Sequence, residues 1–355
     1  MCANLMDQQD ELSLKGHRHM PWLCHVSSCY IGLRKGTPMK YDVAALGELL
    51  IDFTQNGTSE QGNPLFEANP GGAPANVLAM LTKLGKKTAF IGKVGKDSFG
   101  DQLAQTCESV GIDISGLLRD PEIPTTLAVV HTFPGGDRDF SFYRKPGADI
   151  MLTAEELDES ILKNCRIFHF GTLSLTNEPV KSATVRAYEM AKEAGALISF
   201  DPNYRAPLWK SEEEAKEAIR WGLERCDILK IADNELLLMT GETDFDKGAA
   251  ILRAQYPNIR VFNVTAGADG SHAYYGNIHV FEPGCKLGGT IETTGAGDTF
   301  CACVQNYVLE HGIEGLTEAQ LHEMLHFANF AAYLVTTKKG AIRSMPDPED
   351  VARIL

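Results

Sequence analysis

Residues 293–300, TTGAGDTF, place two glycines and an acid where a β-rich stretch gives way to an apolar helical run. Gly295 and Gly297, on either side of Ala296, let the backbone turn its N–H groups outward just where that helix begins. Unpaired N–H groups and the helix dipole there favour an anion, so the turn is a hole for a transferring phosphoryl group. Asp298 at the same helix start is placed to accept the proton of an incoming hydroxyl, and the two together are most of what phosphoryl transfer asks of a protein. The competing reading is that Asp298 only caps the helix, since Asp is a favoured N-cap.

A second glycine cluster, GGAPANV over 71–77, also precedes a helix. It is neither the G-x-G-x-x-G dinucleotide pattern nor the G-x-x-x-x-G-K-[ST] phosphate loop. Gly71 and Gly72 permit a ligand to approach the backbone, and Asn76 offers a donor and an acceptor to a hydroxyl. A tight turn with a solvated Asn76 is the plainer account.

These segments need elements to position them. Residues 41–53 read as one buried strand, 54–70 as a loop, 73–84 as a helix stopped by Gly85, and 88–95 as the next strand, a βαβ beginning. After a helix near 98–110, TTLAVVHTF and RDFSFYR form a hairpin about Pro134, Gly135, Gly136 and Asp137. In the second run Phe140, Phe142 and Arg144 should share one side. Strands then alternate with helices through 168–171, 196–200 and 228–231, with capping boxes at Thr153/Glu156 and Ser211/Glu214. The pattern is an α/β fold, a doubly wound, mostly parallel sheet flanked by helices, with a small inserted β-sheet.

Bulk properties narrow the partners. A net charge of −14 over 355 residues repels phosphate backbones and anionic lipid, so no nucleic acid and no membrane is expected, and a small ligand is favoured. The longest apolar run, near 325–335, is interrupted by His326 and Asn329 and reads as a buried helix. Cys107, Cys165, Cys226, Cys285, Cys301 and Cys303 show no paired framework, which fits a reducing, cytoplasmic setting. Cys2, Cys24, Cys29, His17, His19 and His25 match no zinc spacing, and residues 1–38 are expected to be a disordered extension.

GGAPANV, then LGKKTAFIGKVG, and far downstream TTGAGDTF resemble, in that order, the two signatures of the ribokinase or phosphofructokinase-B family of sugar kinases. The likeness runs from about Met39 to the C-terminus. GELLIDF, FSFYRKPGAD, DPNYR and KKGAI are most similar to fructokinases. The resemblance implies a ribokinase-like domain over 39–355 whose lid is drawn from about 54–70 and 113–146. It further implies ATP-dependent phosphorylation of a sugar, most naturally fructose, with Mg2+ and a K+ ion beside the anion hole. Asp298 would be the base, Gly295, Ala296 and Gly297 the anion hole, and Arg205 a neighbour of the transferring phosphate. Asp52, Gly71, Gly72, Asn76, Phe142 and Arg144 would contact the sugar.

Lys230, Thr265, Gly267, Gly270 and Asn329 would serve the nucleotide, and Glu235 would hold magnesium through water. Locally, Glu235 also reads as an exposed helix-start carboxylate, Asp269-Gly270 as a hairpin turn, and Asn329 as a satisfied core amide. Glu292 departs from the family's usual Asp at the signature's start, which leaves the K+ open. Ala302 and Cys303 occupy positions usually held by Gly or Ala. The family's lids often pair two chains, so a homodimer is expected. The rival readings are another sugar, such as ribose or 2-keto-3-deoxygluconate, a non-catalytic family member, and a nicotinamide dehydrogenase, whose glycine fingerprint is missing after residue 53.

Overall fold

The computed structural model describes residues 39–132 and 138–355. The expected extension, with its Cys and His residues, and the Pro134–Asp137 turn lie outside the described residues, as does the side chain of Phe140.

The run expected as a single strand over 41–53 is broken. Gly47, Glu48 and Leu49 separate β1 (Tyr41–Leu46) from β2 (Leu50–Thr58), and the two belong to different sheets. The segment expected as a loop over 54–70 is the rest of β2 and its antiparallel partner β3 (Pro64–Gly71). Helix α1 (Ala73–Lys83) follows, then β4 (Thr88–Gly95), α2 (Ser98–Ser109) and β5 (Asp113–Asp120). The next pair, β6 (Leu127–Thr132) and β7 (Arg138–Tyr143), is the expected hairpin. Along β7 the exposed Ser141 and Tyr143 alternate with half-buried Phe142 and are followed by buried Arg144, as the two-residue period requires.

The chain continues as α3 (Glu159–Leu162), β8 (Cys165–Gly171), α4 (Val180–Glu193), β9 (Leu197–Asp201), α5 (Glu212–Leu223) and β10 (Ile228–Ala232). Helices α6 (Asp233–Thr240) and α7 (Phe245–Gln255) lead to β11 (Val261–Thr265), β12 (Gly270–Tyr275) and β13 (Ile278–Pro283). Helices α8 (Ala296–His311), α9 (Glu318–Thr336) and α10 (Pro348–Ile354) close the chain. Of the two expected capping boxes, Thr153/Glu156 forms but over a 3-10 turn, the Thr153 amide donating to Glu156 at 2.9 Å, while Ser211 accepts from the Glu214 amide at 3.2 Å to open α5 and the Glu214 carboxylate takes the Lys210 amide instead.

The nine-stranded sheet has the order β13-β12-β11-β10-β9-β8-β1-β4-β5, parallel except at β12 and β13, and the four-stranded sheet the order β3-β2-β6-β7. The parallel strands are buried on both faces and read as continuous apolar runs; β4 is buried at every position. Fully buried Phe90, Phe168, Phe170, Phe200 and Phe262 fill the core. One correction concerns the lid: β5, grouped with it by sequence, is the edge strand of the large sheet. Its two-residue period had no way to say which sheet it joins. Among the described residues no helix is long and apolar enough to cross a membrane. Cys303 packs as a small apolar residue, 3% exposed.

Candidate active site

The chain runs from β1 to β4 and β5 on one side, then returns to β8 on the other and goes on to β9, so the connections leaving the paired carboxyl ends of β1 and β8 run in opposite directions. A crevice forms at such a switch point, and ligands of open α/β sheets bind there. The carboxyl end of β9 adds Asp201, β10 adds Lys230, and α8, which packs on α1, α9 and β10, adds its N-terminus.

Gly295 caps α8 with φ of 82°, a left-handed conformation that a side chain would strain. The Ala296 amide bends back to the Thr293 carbonyl at 3.3 Å. Among the described residues the amides of Gly297 and Asp298 meet no acceptor. The open donors therefore lie one residue further into the helix than the sequence reading had them. Lys230 abuts this turn, since a Cβ on Gly297 would come within 3.1 Å of its ammonium. That ammonium pairs with Asp201 at 3.1 Å, both residues being buried. Burial opposes its charge, but the carboxylates of Asp201, Glu235 and Asp298 more than offset this and hold its pKa above the ordinary lysine value.

Asp298 is the third residue of α8, not its cap, and is buried. Asn76 Nδ2 donates to its Oδ2 at 2.7 Å. Burial, and then the charge of Asp201, raise its pKa to about 6, while Asn76, Lys230 and Arg205 pull the other way. A carboxylate with that pKa is ionised at neutral pH and basic enough to take a proton. Asn76 is buried too, so the solvated-turn account fails, and its Oδ1 has no hydrogen-bond partner among the described residues. A buried orphan acceptor beside a base is a place for a hydroxyl donor.

The strained start of α1 brings the second glycine pair into play. Gly72 has φ of 131°, and a Cβ there would sit 2.3 Å from the Glu48 carbonyl. Gly71 lies against Asp52, whose Oδ2 would be 2.4 Å from a Cβ. Glu48, passed over in the sequence, accepts the Ala73 amide at 2.9 Å, and burial lifts its pKa to about 7. Asp201 was also passed over, although it opens the DPNYR segment singled out for Arg205. Arg205 is half-buried, with Nη1 on the Tyr204 carbonyl at 3.1 Å, and its charge is felt by Asp298.

The folded chain gives Arg144 and Asn329 protein partners and overturns the plainer reading of Glu235. Arg144 is buried, and its guanidinium is held by Asp149, the Thr176 hydroxyl and the Leu173 carbonyl, so it ties the end of β7 to the large domain instead of reaching for a sugar. Asn329 is the satisfied core amide: Oδ1 accepts from Ser271 at 2.8 Å and Nδ2 donates to the Glu282 and Pro283 carbonyls. Glu235 is not an exposed carboxylate; it is 3% exposed and takes the Tyr204 and Ala232 amides at 2.7 and 2.8 Å. Burial raises its pKa despite Lys230. Thr265 ends β11, Gly267 has φ of 54°, and a Cβ on Gly270 would lie 2.2 Å from the Glu282 carbonyl, so the β11–β12 turn is tight for its own structural reasons. Phe142 pairs with Ala128 in the small sheet.

The pattern of the pfkB family carbohydrate kinases matches residues 40–348. This chain belongs to that family. Fructokinase-2 of Solanum lycopersicum is 40% identical over 315 residues, 88% of this chain and 95% of that protein. A fructokinase double mutant of Vibrio cholerae, solved with fructose, ADP and potassium ion, is 28% identical with a TM-score of 0.79 over 90% of this chain and 100% of its own. The Xylella fastidiosa fructokinase with bound ATP is 26% identical with a TM-score of 0.78, over 88% and 99% respectively. The chain is thus a carbohydrate kinase with a ribokinase-type α/β fold, and the base, anion hole and buried Lys230–Asp201 pair are that kinase's candidate machinery. Glu292 accepts from the Thr294 hydroxyl at 2.5 Å and the Gly340 amide at 3.2 Å, joining two loops beside the start of α8.

Proposed function

We propose that the kinase transfers the γ-phosphoryl group of ATP to the C6 hydroxyl of D-fructose, giving fructose 6-phosphate and ADP. The observation that carries this reading is the buried Asn76–Asp298 pair at the N-terminus of α8: Asn76 donates its Nδ2 to the basic carboxylate, and its Oδ1, without a partner among the described residues, is left to accept from an incoming hydroxyl. Asp52 and Asn76 hold sugar hydroxyls, and Gly71 and Gly72 let the ring approach the backbone. Asp298 takes the hydroxyl proton as the oxygen attacks. The open amides of Gly297 and Asp298, with Lys230 and Arg205, stabilise charge on the phosphoryl oxygens, and donors fixed before the reaction need no reorganisation.

The residues present fit a magnesium nucleotide: oxygen donors Asp201 and Glu235 suit a hard cation held through water, and open amides suit the phosphates. Magnesium, when bound, neutralises charge across the phosphates. The loop that Glu292 joins also offers hard oxygens for potassium. The four-stranded sheet acts as a lid that excludes water as a competing acceptor. Exposed Leu65, Phe66 and Tyr143 on that sheet fit pairing of two kinases in the cytoplasm. The test is phosphorylation across a sugar panel with the product position read by NMR. Preference for ribose or 2-keto-3-deoxygluconate over fructose would overturn the substrate, and absence of turnover on every sugar would overturn the chemistry.

A further inference from the structure

The hairpin of β12 and β13 carries a cluster that the kinase site does not use. His272 and His279 project from one face of the hairpin, where His279 faces Tyr274 and His272 faces Phe281, and Asp246 reaches them from α7. His272 Nδ1 and His279 Nε2 are 3.0 Å apart, with ring planes 10° from parallel. On the far side of His279, Nδ1 lies 3.3 Å from Asp246 Oδ1. One candidate ligand atom from each of the three falls within 4.8 Å of the others.

We propose that this cluster is a binding site for a borderline divalent metal, Zn2+ being the first choice. Zinc–nitrogen bonds of about 2.0–2.1 Å set two tetrahedral ligands roughly 3.3 Å apart, so the two ring nitrogens need to separate by only a few tenths of an ångström. His279 then gives one nitrogen to the ion and leaves the other against Asp246, the carboxylate–histidine–metal arrangement that fixes tautomer and ring orientation. Asp246 is itself fixed, because the Tyr274 hydroxyl donates to its Oδ1 at 2.8 Å. The stacked ring of Tyr274, 4.4 Å from that of His279, and those of Phe245 and Phe281 beside His272 hold both imidazoles in place. His279 and Asp246 are exposed, which leaves water free to complete the coordination. Two imidazoles suit zinc, copper or nickel and are a poor match for magnesium or calcium. A bound ion would tie β12 to β13 and, through Asp246, to α7.

Calorimetry with zinc chloride on the full chain stripped of metal is the test. The wild type should bind one more equivalent than His279→Gln or His272→Gln, and zinc should raise its melting temperature but not theirs. Asp246→Asn should weaken that site by about 10- to 100-fold, the usual effect of losing the carboxylate that orients a ligating histidine. Equal stoichiometry and affinity in wild type and both histidine variants would assign any zinc to other residues and overturn the site. Should a variant misfold, the wild type decides alone: ring-nitrogen NMR signals of His272 and His279 must shift with zinc, and unmoved signals refute the proposal.

Discussion

Replacing Asp298 by Asn separates basicity from shape more cleanly than any other change in the site. Burial and Asp201 raise the Asp298 pKa from 3.8 to about 6, roughly two pKa units, or about 3 kcal/mol of added cost for the charged form. The folded-state value is the raised one, so this cost is absent below the unfolded pKa and complete once the pH exceeds about 6. The amide of Asp298→Asn can still accept from Asn76 and carries no charge. At pH 8 the variant should therefore melt no lower than the wild type, and any advantage should vanish toward pH 4. Turnover should fall by at least about 10² to 10⁴, the range for a positioned general base, with ATP affinity unchanged. The wild-type kcat/KM for fructose should drop with a limb near pH 6 as the base is protonated, and the variant's residual rate should lack that limb. Steady-state kinetics over pH 4.5 to 9, with calorimetric ATP binding and thermal melts, supply every number. A folded variant turning over within tenfold of the wild type would refute Asp298 as the base.

Lys230→Met should destabilise the kinase by about 3–5 kcal/mol, as expected when one partner of a buried ion pair is removed. It should also move the acid limb upward, because Lys230 lowers the Asp298 pKa; an unmoved limb would mean that the ammonium is not felt at the base. Gly72→Ala, forced to φ of 131° with its Cβ 2.3 Å from the Glu48 carbonyl, should lose more than about 1 kcal/mol and raise the KM for fructose, which denaturant melts and kinetics will report. Saturating fructose should protect residues 125–132 and 138–145 from hydrogen exchange, whereas ATP alone should protect 265–270 and 295–298. Unchanged exchange in the small sheet, with sugar binding confirmed by calorimetry, would mark that sheet as static.

The alternation of strands and helices was readable because parallel strands such as β4 are apolar throughout and helices such as α2 and α5 begin with recognisable caps. The tight turn at the start of α8 was readable because glycines at 295 and 297 directly before an apolar helical run have few uses other than a sharp entry to a helix. Three things escaped. The break at 47–49 is hidden in an apolar run, since a chain leaving one sheet for another keeps its hydrophobic character in both. Asn329 and Arg144 have residue types that suit ligands, but their partners lie 46 to 58 and 5 to 32 residues away in sequence, so only the folded chain shows that their hydrogen bonds are already made. Asp201 and Glu48 went unremarked for the opposite reason: their importance comes from burial, which a short motif does not display.

The break at Gly47, Glu48 and Leu49 makes β1 and β2 two arms of one lever. Asp52 rides on the outer arm, while the Asn76–Asp298 pair stays with the large sheet, and β3 returns through Gly71 and Gly72 beside the same fulcrum. A sugar gripped by both arms would fix the angle between them. Affinity and closure would then be a single mechanical quantity, and a change at Glu48, whose carboxylate holds the Ala73 amide at that fulcrum, would alter both together.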